Sequence, residues 1–156
     1  MKTNIVFIVV LLLSISSVAQ SHDSLATVLK YKIAKATTDS ARIGYKIELV
    51  KQMHRFDLEA SRIIINDILK QIEEIQGTTP YYQKNKAKAL NYLGIVDNKQ
   101  GNAEKALTTY LKALDISEGI NDSITIGLGF HNLGMFYRRQ KDYEKSKQYY
   151  KFYSSL

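Results

Sequence analysis

The sequence predicts an all-α fold in which antiparallel helix pairs stack into a solenoid, and three observations predict it. Residues 89–94 return in similar form 40 residues later, at 129–134, and residues 101–105 return at 141–145. Apolar residues recur at helical spacing, without a sustained alternating run of β-branched residues. Only Pro80 interrupts the pattern. A fixed period of this length indicates repeated helical hairpins, which form binding surfaces more often than active sites.

The N-terminus has the features of a secretory signal peptide. A basic start precedes an apolar run from Ile5 to Leu13, and Ala19 ends a small-residue cleavage pattern. We therefore expect residues 1–19 to be removed and the protein to be exported to the periplasm or cell envelope. The apolar run is shorter than the about 20 residues of a membrane-spanning helix, and an uncleaved N-terminal anchor is the alternative.

Composition excludes some sites and leaves the partner open. The chain has no cysteine, so disulfides, thiolate metal sites and a lipid-modified N-terminus are excluded. Its formal net charge of +7 fits solvated helix faces, while an anionic envelope polymer or an acidic peptide is the alternative explanation.

Residues 20–80 are expected to form N-terminal helices that include a degenerate repeat. Apolar periodicity places helices over about residues 23–36, 39–53 and 58–75. Asp39 is the expected N-cap of the second helix, and Ala60 is expected at the small-residue position of the third. Thr79 is placed to cap the next helix, with Pro80 at its first position.

Residues 81–120 and 121–156 are each predicted to form a helix, a short turn and a second helix, the last unit being incomplete at the C-terminus. Helices are expected over about residues 82–99, 103–118, 123–140 and 143–156. Gly101 suits the left-handed residue that ends a helix. Asn102 and Asp142 are the expected N-caps of the second helices.

Small and large residues recur in phase in these two pairs. The first pair supplies Leu90, Leu93, Gly94, Ala106, Tyr110 and Ala113, with Asp97 at a position where the pattern has an aromatic residue. The second pair supplies Phe130, Leu133, Gly134, Tyr137, Tyr143 and Tyr150, with Ser146 and Tyr153 at the two alanine positions. In this pattern the pairs resemble tetratricopeptide repeats of an extended, roughly 40-residue form. The resemblance implies a right-handed superhelix of helix pairs.

The resemblance also implies a binding site. In this family the first helix of each pair lines a concave groove that holds extended peptides. The corresponding residues are Lys88, Asn91, Ile95, Asn98 and Lys99 in the first pair, and Leu128, His131, Asn132, Met135, Arg138 and Arg139 in the second. Basic and amide side chains there are suited to an acidic group or a peptide backbone, and Ile95 and Met135 to apolar contact. The alternative is that this face is only the solvated inner side of a spacer.

Nothing in the sequence supports catalysis, a metal or a cofactor, and we predict that the chain is not an enzyme. Its three histidines have no ligand-like spacing, and no nucleophile motif is present. Basic and aromatic residues between Tyr137 and Tyr153 are typical of single-stranded nucleic-acid binding. Because several of these tyrosines already occupy repeat positions, no nucleic-acid partner is expected.

The resemblance and the signal peptide together predict an exported protein–protein interaction module. We expect it to be the N-terminal sensory or scaffold part of a cell-envelope signalling protein, with a protein or peptide partner in the envelope. One alternative is a fragment of a sensor histidine kinase whose catalytic part lies beyond residue 156. Membrane contact would then occur only through the signal segment or a downstream helix. Another alternative is a scaffold that self-associates through the aromatic residues of the last helix, Tyr149, Tyr150, Phe152 and Tyr153.

Overall fold

A computed structural model describes residues 25–156 as helices joined by short turns. The helices are α1 (25–35), α2 (Asp39–Met53), α3 (Leu58–Glu74), α4 (Pro80–Lys99), α5 (Ala103–Gly119), α6 (Ser123–Arg139) and α7 (Tyr143–Ser154). The predicted signal peptide, residues 1–19, lies outside the described residues. Across the part of the chain that is described, no helix is both long and apolar enough to cross a membrane.

The helices pair in sequence order and stack into two layers. Helices α2, α4 and α6 form what we call the inner layer, in which α2 contacts α4 and α4 contacts α6. Helices α3, α5 and α7 form the outer layer and make no such contact with one another. Because neighbouring helices approach closely in only one layer, the array curves around the inner layer. The all-α solenoid predicted from the sequence is confirmed.

Polar residues begin most of the helices, as predicted, with one displacement. Asp57 caps α3 by accepting from the Ala60 backbone N–H at 2.9 Å, and Asp142 caps α7 by accepting from the Lys145 N–H at 3.1 Å. The cap of α2 is Thr38 rather than Asp39, because the Thr38 hydroxyl accepts from the Ala41 N–H at 3.3 Å. Asp39 instead occupies the first helical turn, where its negative charge favours the helix dipole.

Two further predicted N-cap residues lie at the expected positions but make no capping hydrogen bond. Thr79 and Asn102 precede α4 and α5, yet neither side chain makes a capping hydrogen bond. Pro80 is at the start of α4, where its missing N–H costs no intrahelical bond. Gly101 has a φ of +85° after α4, the left-handed conformation that closes a helix end.

The two pairs that carry the repeat pattern use a glycine to admit a tyrosine ring. A Cβ built on Gly94 would lie 2.5 Å from Tyr110 Cε1, and one built on Gly134 would lie 2.9 Å from Tyr150 Cε1. The glycines of α4 and α6 therefore let the tyrosines of α5 and α7 pack directly against helix backbone. Tyr110 is fully enclosed, with 2% of its surface exposed.

The second helix of each pair also carries one small buried residue, and here one prediction is wrong. Ser61, Ala106 and Ser146 each lie four residues after the N-cap of their helix, and all three are buried. In the pair α2/α3 this position is therefore occupied by Ser61, whose hydroxyl donates to the Asp57 carbonyl, and not by Ala60. The sequence predicts Ala60 because alanine is the usual small residue at that position of the family pattern.

Two departures from the pattern have visible physical consequences. Asp97, which replaces an aromatic residue, is buried and accepts from Arg62 of α3 at 2.7 Å, so that an ion pair joins the first two helix pairs. Tyr143 is 63% exposed at the start of α7, so its prediction as a core position is wrong. Tyr153, at an alanine position, is 50% exposed.

Candidate functional site

The residues predicted to line the groove all lie on α4 and α6, which are neighbours in the inner layer. The exposed ones are Lys99, His131, Met135, Arg138 and Arg139. Lys88, Ile95, Asn98 and Leu128 are half-buried. These nine residues are on the layer that the resemblance implies, and their role in binding a peptide stays a prediction.

Asn91 and Asn132 have a different place. Asn91 is completely buried and Asn132 is 7% exposed. The Asn132 Nδ2 donates to Asn91 Oδ1 at 3.0 Å, and Asn91 Nδ2 donates to the Ala87 carbonyl at 3.1 Å. We therefore correct the predicted groove by removing these two residues: their amides join α4 to α6 and are not open to a partner. A buried amide needs such partners, since leaving one unsatisfied costs about 1–3 kcal/mol.

The side chains of His131 and Ile95 also contact residues of other helices in the array. The His131 ring lies 6.0 Å from the Tyr150 ring and 5.7 Å from the Tyr153 ring, both on α7. Its exposed imidazole is therefore oriented by the outer layer. Ile95 packs against the cluster around Tyr110 and Phe136. Both residues can contribute to a surface only through their exposed edges.

Charge is unevenly divided between the two layers. The inner helices carry nine Lys and Arg against three Asp and Glu, a net charge of +6. The outer helices carry seven Lys and Arg against eight Asp and Glu, a net charge of −1. Apart from the three lysines of α1, which the layers do not include, the excess positive charge of the described helices thus lies on the layer that the array curves around, where charges of one sign reinforce each other.

The inner layer also contains a cleft that sequence reasoning missed. It has a volume of about 390 Å³ between α2 and α4 and is lined by Ala41, Gly44, Tyr45, Ile47, Glu48, Tyr81, Asn85 and Lys88. Only Lys88 belongs to the predicted groove. The resemblance does not predict the others: α2 lacks the Leu-Gly motif that marks groove positions, and Tyr81 and Asn85 precede that motif on α4.

Ion pairs and buried groups fix the positions of the inner helices. Lys84 Nζ on α4 lies 2.8 Å from an Asp122 carboxylate oxygen at the start of α6. Although burial alone would raise the pKa of Asp122, donation from Lys84 and from the Thr125 N–H and hydroxyl lowers it. Tyr92 of α4 packs on His54 at 5.0 Å, and burial, together with Glu48, raises the pKa of Tyr92 to about 12. Asp122 is therefore charged and Tyr92 neutral near pH 7.

Within residues 25–156, no group of three or more His, Asp and Glu side chains is arranged to hold a metal ion. The arrangement instead offers cations, amides and exposed aromatic rings along one layer of helices. Such groups can bind carboxylates, peptide backbone and apolar side chains.

Comparison with known families agrees with this architecture. Residues 85–151, which extend from α4 into α7, match the family model described as tetratricopeptide repeat. No curated protein and no solved structure matches the chain. Tetratricopeptide domains are typically non-catalytic and bind other proteins. Residues 85–151 therefore belong to the tetratricopeptide-repeat family, and such repeats imply a protein–protein interaction module over this segment.

Proposed function

We propose that the inner layer is the surface through which this module binds its partner, and that the partner is a protein of the cell envelope. The observation that carries the proposal is the charge difference between the layers, +6 on the inner helices against −1 on the outer helices. Opposite charge on a partner would speed its association and orient it toward the inner layer.

The available side chains favour an extended, acidic segment of the partner. Arg138 and Arg139 are exposed and make no ion pair within the described residues, so both guanidinium groups are free to receive carboxylates. Met135, one helical turn before Arg139, adds an apolar contact beside them and is 39% exposed.

Site-specific photo-crosslinking tests which layer meets the partner. A photoreactive amino acid at Met135 on the inner helix α6 is compared with one at Leu111 on the outer helix α5, because their exposures, 39% and 43%, are nearly equal. We expect a crosslinked partner in cells from position 135 and none from position 111. Crosslinking to the same protein from position 111 alone would refute the inner-layer proposal.

Export is the second part of the proposal and is supported by the sequence of residues 1–19. Fusing residues 1–24 to a reporter enzyme that needs disulfides to fold gives a direct test, because such a reporter is active only outside the reducing cytoplasm. We expect activity from this fusion and none from a control fusion that lacks residues 1–19 and carries only residues 20–24. Equal activity from both fusions would contradict the cell-envelope location, but it would not contradict the proposal that the inner layer binds the partner.

Self-association through α7 is a second candidate function, favoured by the exposure of its aromatic residues. Phe152 is 51% exposed and Tyr153 is 50% exposed, and Leu156, just beyond the end of α7, is 61% exposed. Exposed aromatic residues grouped on one element are typical of interaction surfaces. A rise in mass by light scattering as concentration increases, lost on Phe152→Ser with Tyr153→Ser, would support this candidate; a monomer at all concentrations would exclude it.

A further inference from the structure

One flank of helix α1, outside the segment that matches the family, exposes apolar and basic side chains together. Leu25, Val28 and Tyr31 follow one another at a spacing of three residues and are 42%, 46% and 65% exposed. Lys32 and Lys35 each lie four residues after one of them, on the same flank, and are exposed as well. We call these five residues the α1 flank. Apolar side chains grouped in this way on an exposed helix are typical of a surface that binds something.

The charge of the α1 flank is entirely positive. Residues 25–38 contain three lysines and no Asp or Glu, and none of these lysines forms an ion pair within the described residues. Lys32 Nζ lies 5.6 Å from the centre of the Tyr45 ring on α2. Tyr31, Lys32, Lys35 and Tyr45 also line a cleft of about 240 Å³ that opens beside the flank. Anionic groups are therefore attracted to this end of the array.

This combination of residues is typical of a helix that lies in the interface of a membrane. Such a helix places aliphatic and aromatic side chains at the boundary between headgroups and acyl chains, and its lysines among the headgroups. The stem of a lysine can lie along apolar surface while its ammonium group reaches a lipid phosphate, and tyrosine is favoured at the same depth. No described helix is long and apolar enough to cross a membrane, so contact through α1 is contact with the surface.

A bilayer fits the α1 flank better than an acidic protein does. The flank has no acid and no side-chain amide, the groups that fix the register of a protein partner through complementary contacts. A bilayer surface needs no such register. The position in the sequence favours the same occupant, because only residues 14–24 separate α1 from the apolar run of the predicted signal peptide. A chain exported by that segment is released at a membrane, and a chain that keeps it stays attached there.

We propose that the α1 flank binds the surface of a bilayer that contains anionic lipids. Leu25, Val28 and Tyr31 enter the boundary between headgroups and acyl chains, and Lys32 and Lys35 contact lipid phosphates. This contact requires no partner protein. The inference therefore goes beyond the proposed function, and each of the two can fail without the other.

Flotation with lipid vesicles tests the proposal. The protein used is the chain without residues 1–19, because all described helices lie within residues 25–156 and the apolar run of the signal peptide can itself enter a bilayer. The vesicles contain equal parts of phosphatidylcholine and phosphatidylglycerol, or phosphatidylcholine alone. We expect binding to the anionic vesicles to be about tenfold tighter or more, and to weaken with added salt. No binding to the anionic vesicles, or equal binding to both kinds, would overturn the proposal.

An introduced tryptophan then reports which surface enters the lipid, because the chain has none of its own. Val28→Trp on the α1 flank is compared with Leu111→Trp on α5, since the two positions are 46% and 43% exposed. With anionic vesicles we expect the emission of Val28→Trp alone to shift to shorter wavelength and to be quenched by brominated lipid. A shift at position 111 alone, or at neither position, would overturn the proposal.

Variants without tryptophan separate the α1 flank from the charge of the inner layer. We expect Lys32→Gln with Lys35→Gln to weaken vesicle binding about tenfold or more, and Tyr31→Ser to weaken it about fivefold. Arg138→Gln with Arg139→Gln removes the same charge from exposed positions of α6 and should weaken binding less than about twofold. Circular dichroism without vesicles checks that each variant is folded. A larger loss in the arginine variant would overturn the proposal, as would tighter binding of soluble polyglutamate than of vesicles, which would assign the flank to an acidic protein.

Discussion

The helix pairs α2/α3 and α4/α5 differ in the size of the residues that lie eight positions before and eight positions after the N-cap of their second helix. In α4/α5, Gly94 and Tyr110 lie eight residues before and eight after the N-cap Asn102. The same positions around Asp57 in α2/α3 hold Leu49 and Ile65, which are 2% and 0% exposed. One pair uses a very small and a very large residue, and the other uses two of intermediate size.

This difference indicates that a helix pair of this array can bury its facing side chains without the glycine. Interiors pack to a nearly constant density, so a smaller residue on one helix requires a larger residue on the other. It also accounts for where the family match begins: Asn85 lies in α4, after the pair in which the glycine is replaced. A repeat can keep its packing while losing the residues by which it is recognised.

The largest expected change in stability follows from replacing the glycine and tyrosine of α4/α5 by the residue types found in α2/α3. Gly94→Leu would destabilise the protein by about 4 kcal/mol, because a Cβ at this position already lies 2.5 Å from Tyr110 Cε1 and helix backbone cannot move aside. Adding Tyr110→Ile should restore about half of that loss in guanidinium chloride unfolding. As a control, Gly119→Leu should cost little, because a Cβ there meets nothing within 4 Å. A double variant no more stable than Gly94→Leu would contradict size complementarity.

The local chemistry of helix ends could be predicted from the sequence, but not always the residue that performs it. Pro80, Gly101 and Asp142 act where the sequence predicts, because the ends of helices depend on a few neighbouring residues. The cap of α2 was misplaced by one residue, since Thr38 and the adjacent Asp39 have similar capping preferences. Only the backbone conformation of Thr38 decides between them.

The site was less predictable than the fold, because its geometry depends on how helices from different units meet. Asn91 looked like a groove residue in a single repeat, and the contact of α4 with α6 buries it against Asn132. The cleft between α2 and α4 brings Tyr45 together with Tyr81 and Lys88, and no motif relates these positions in the sequence. Charge on the inner helices was countable from the sequence, although its separation from the outer layer was not.

The contacts between neighbouring helix pairs differ as well. The pairs α2/α3 and α4/α5 are joined by the ion pair between Arg62 and Asp97. Arg62→Met would leave the Asp97 carboxylate, whose side chain is 5% exposed, without its cation. We expect a loss of about 2 kcal/mol in urea unfolding, less than for a fully buried pair because the Arg62 side chain is 25% exposed. Lys70→Met, which removes a pair exposed to 74% and 60%, should change stability by less than about 0.5 kcal/mol. Equal effects of the two variants would mean that the Arg62 pair adds nothing to the contact.

The second and third units are joined by amides, and a smaller effect is expected there. Asn132→Ala removes the donor to Asn91 Oδ1 and leaves a buried acceptor without that bond. A loss of about 1.5 kcal/mol in thermal unfolding is expected from the desolvation of this oxygen. Asn66→Ala, at an exposed position of α3, is the matched control and should cost less. If Asn132→Ala left the free energy of unfolding unchanged, the hydrogen bond between the two side-chain amides would stabilise the protein no more than hydration of the same groups does.

The smallest expected effect is a pH dependence confined to the contact between the first two units. Burial lowers the pKa of His54 below 6.5, Arg55 and Lys99 lower it further, and hydrogen bonds to the Val50 and Lys51 carbonyls oppose them only in part. The unfolded state therefore binds a proton more readily, so the contribution of neutral His54 is complete above pH 6.5 and is lost as pH falls through its lower folded pKa. Unfolding midpoints between pH 7 and pH 5 should fall more steeply for the native chain than for His54→Gln, which cannot titrate. Parallel curves would show that protonation of this imidazole, although it contacts Tyr92 of the next unit, does not weaken the contact.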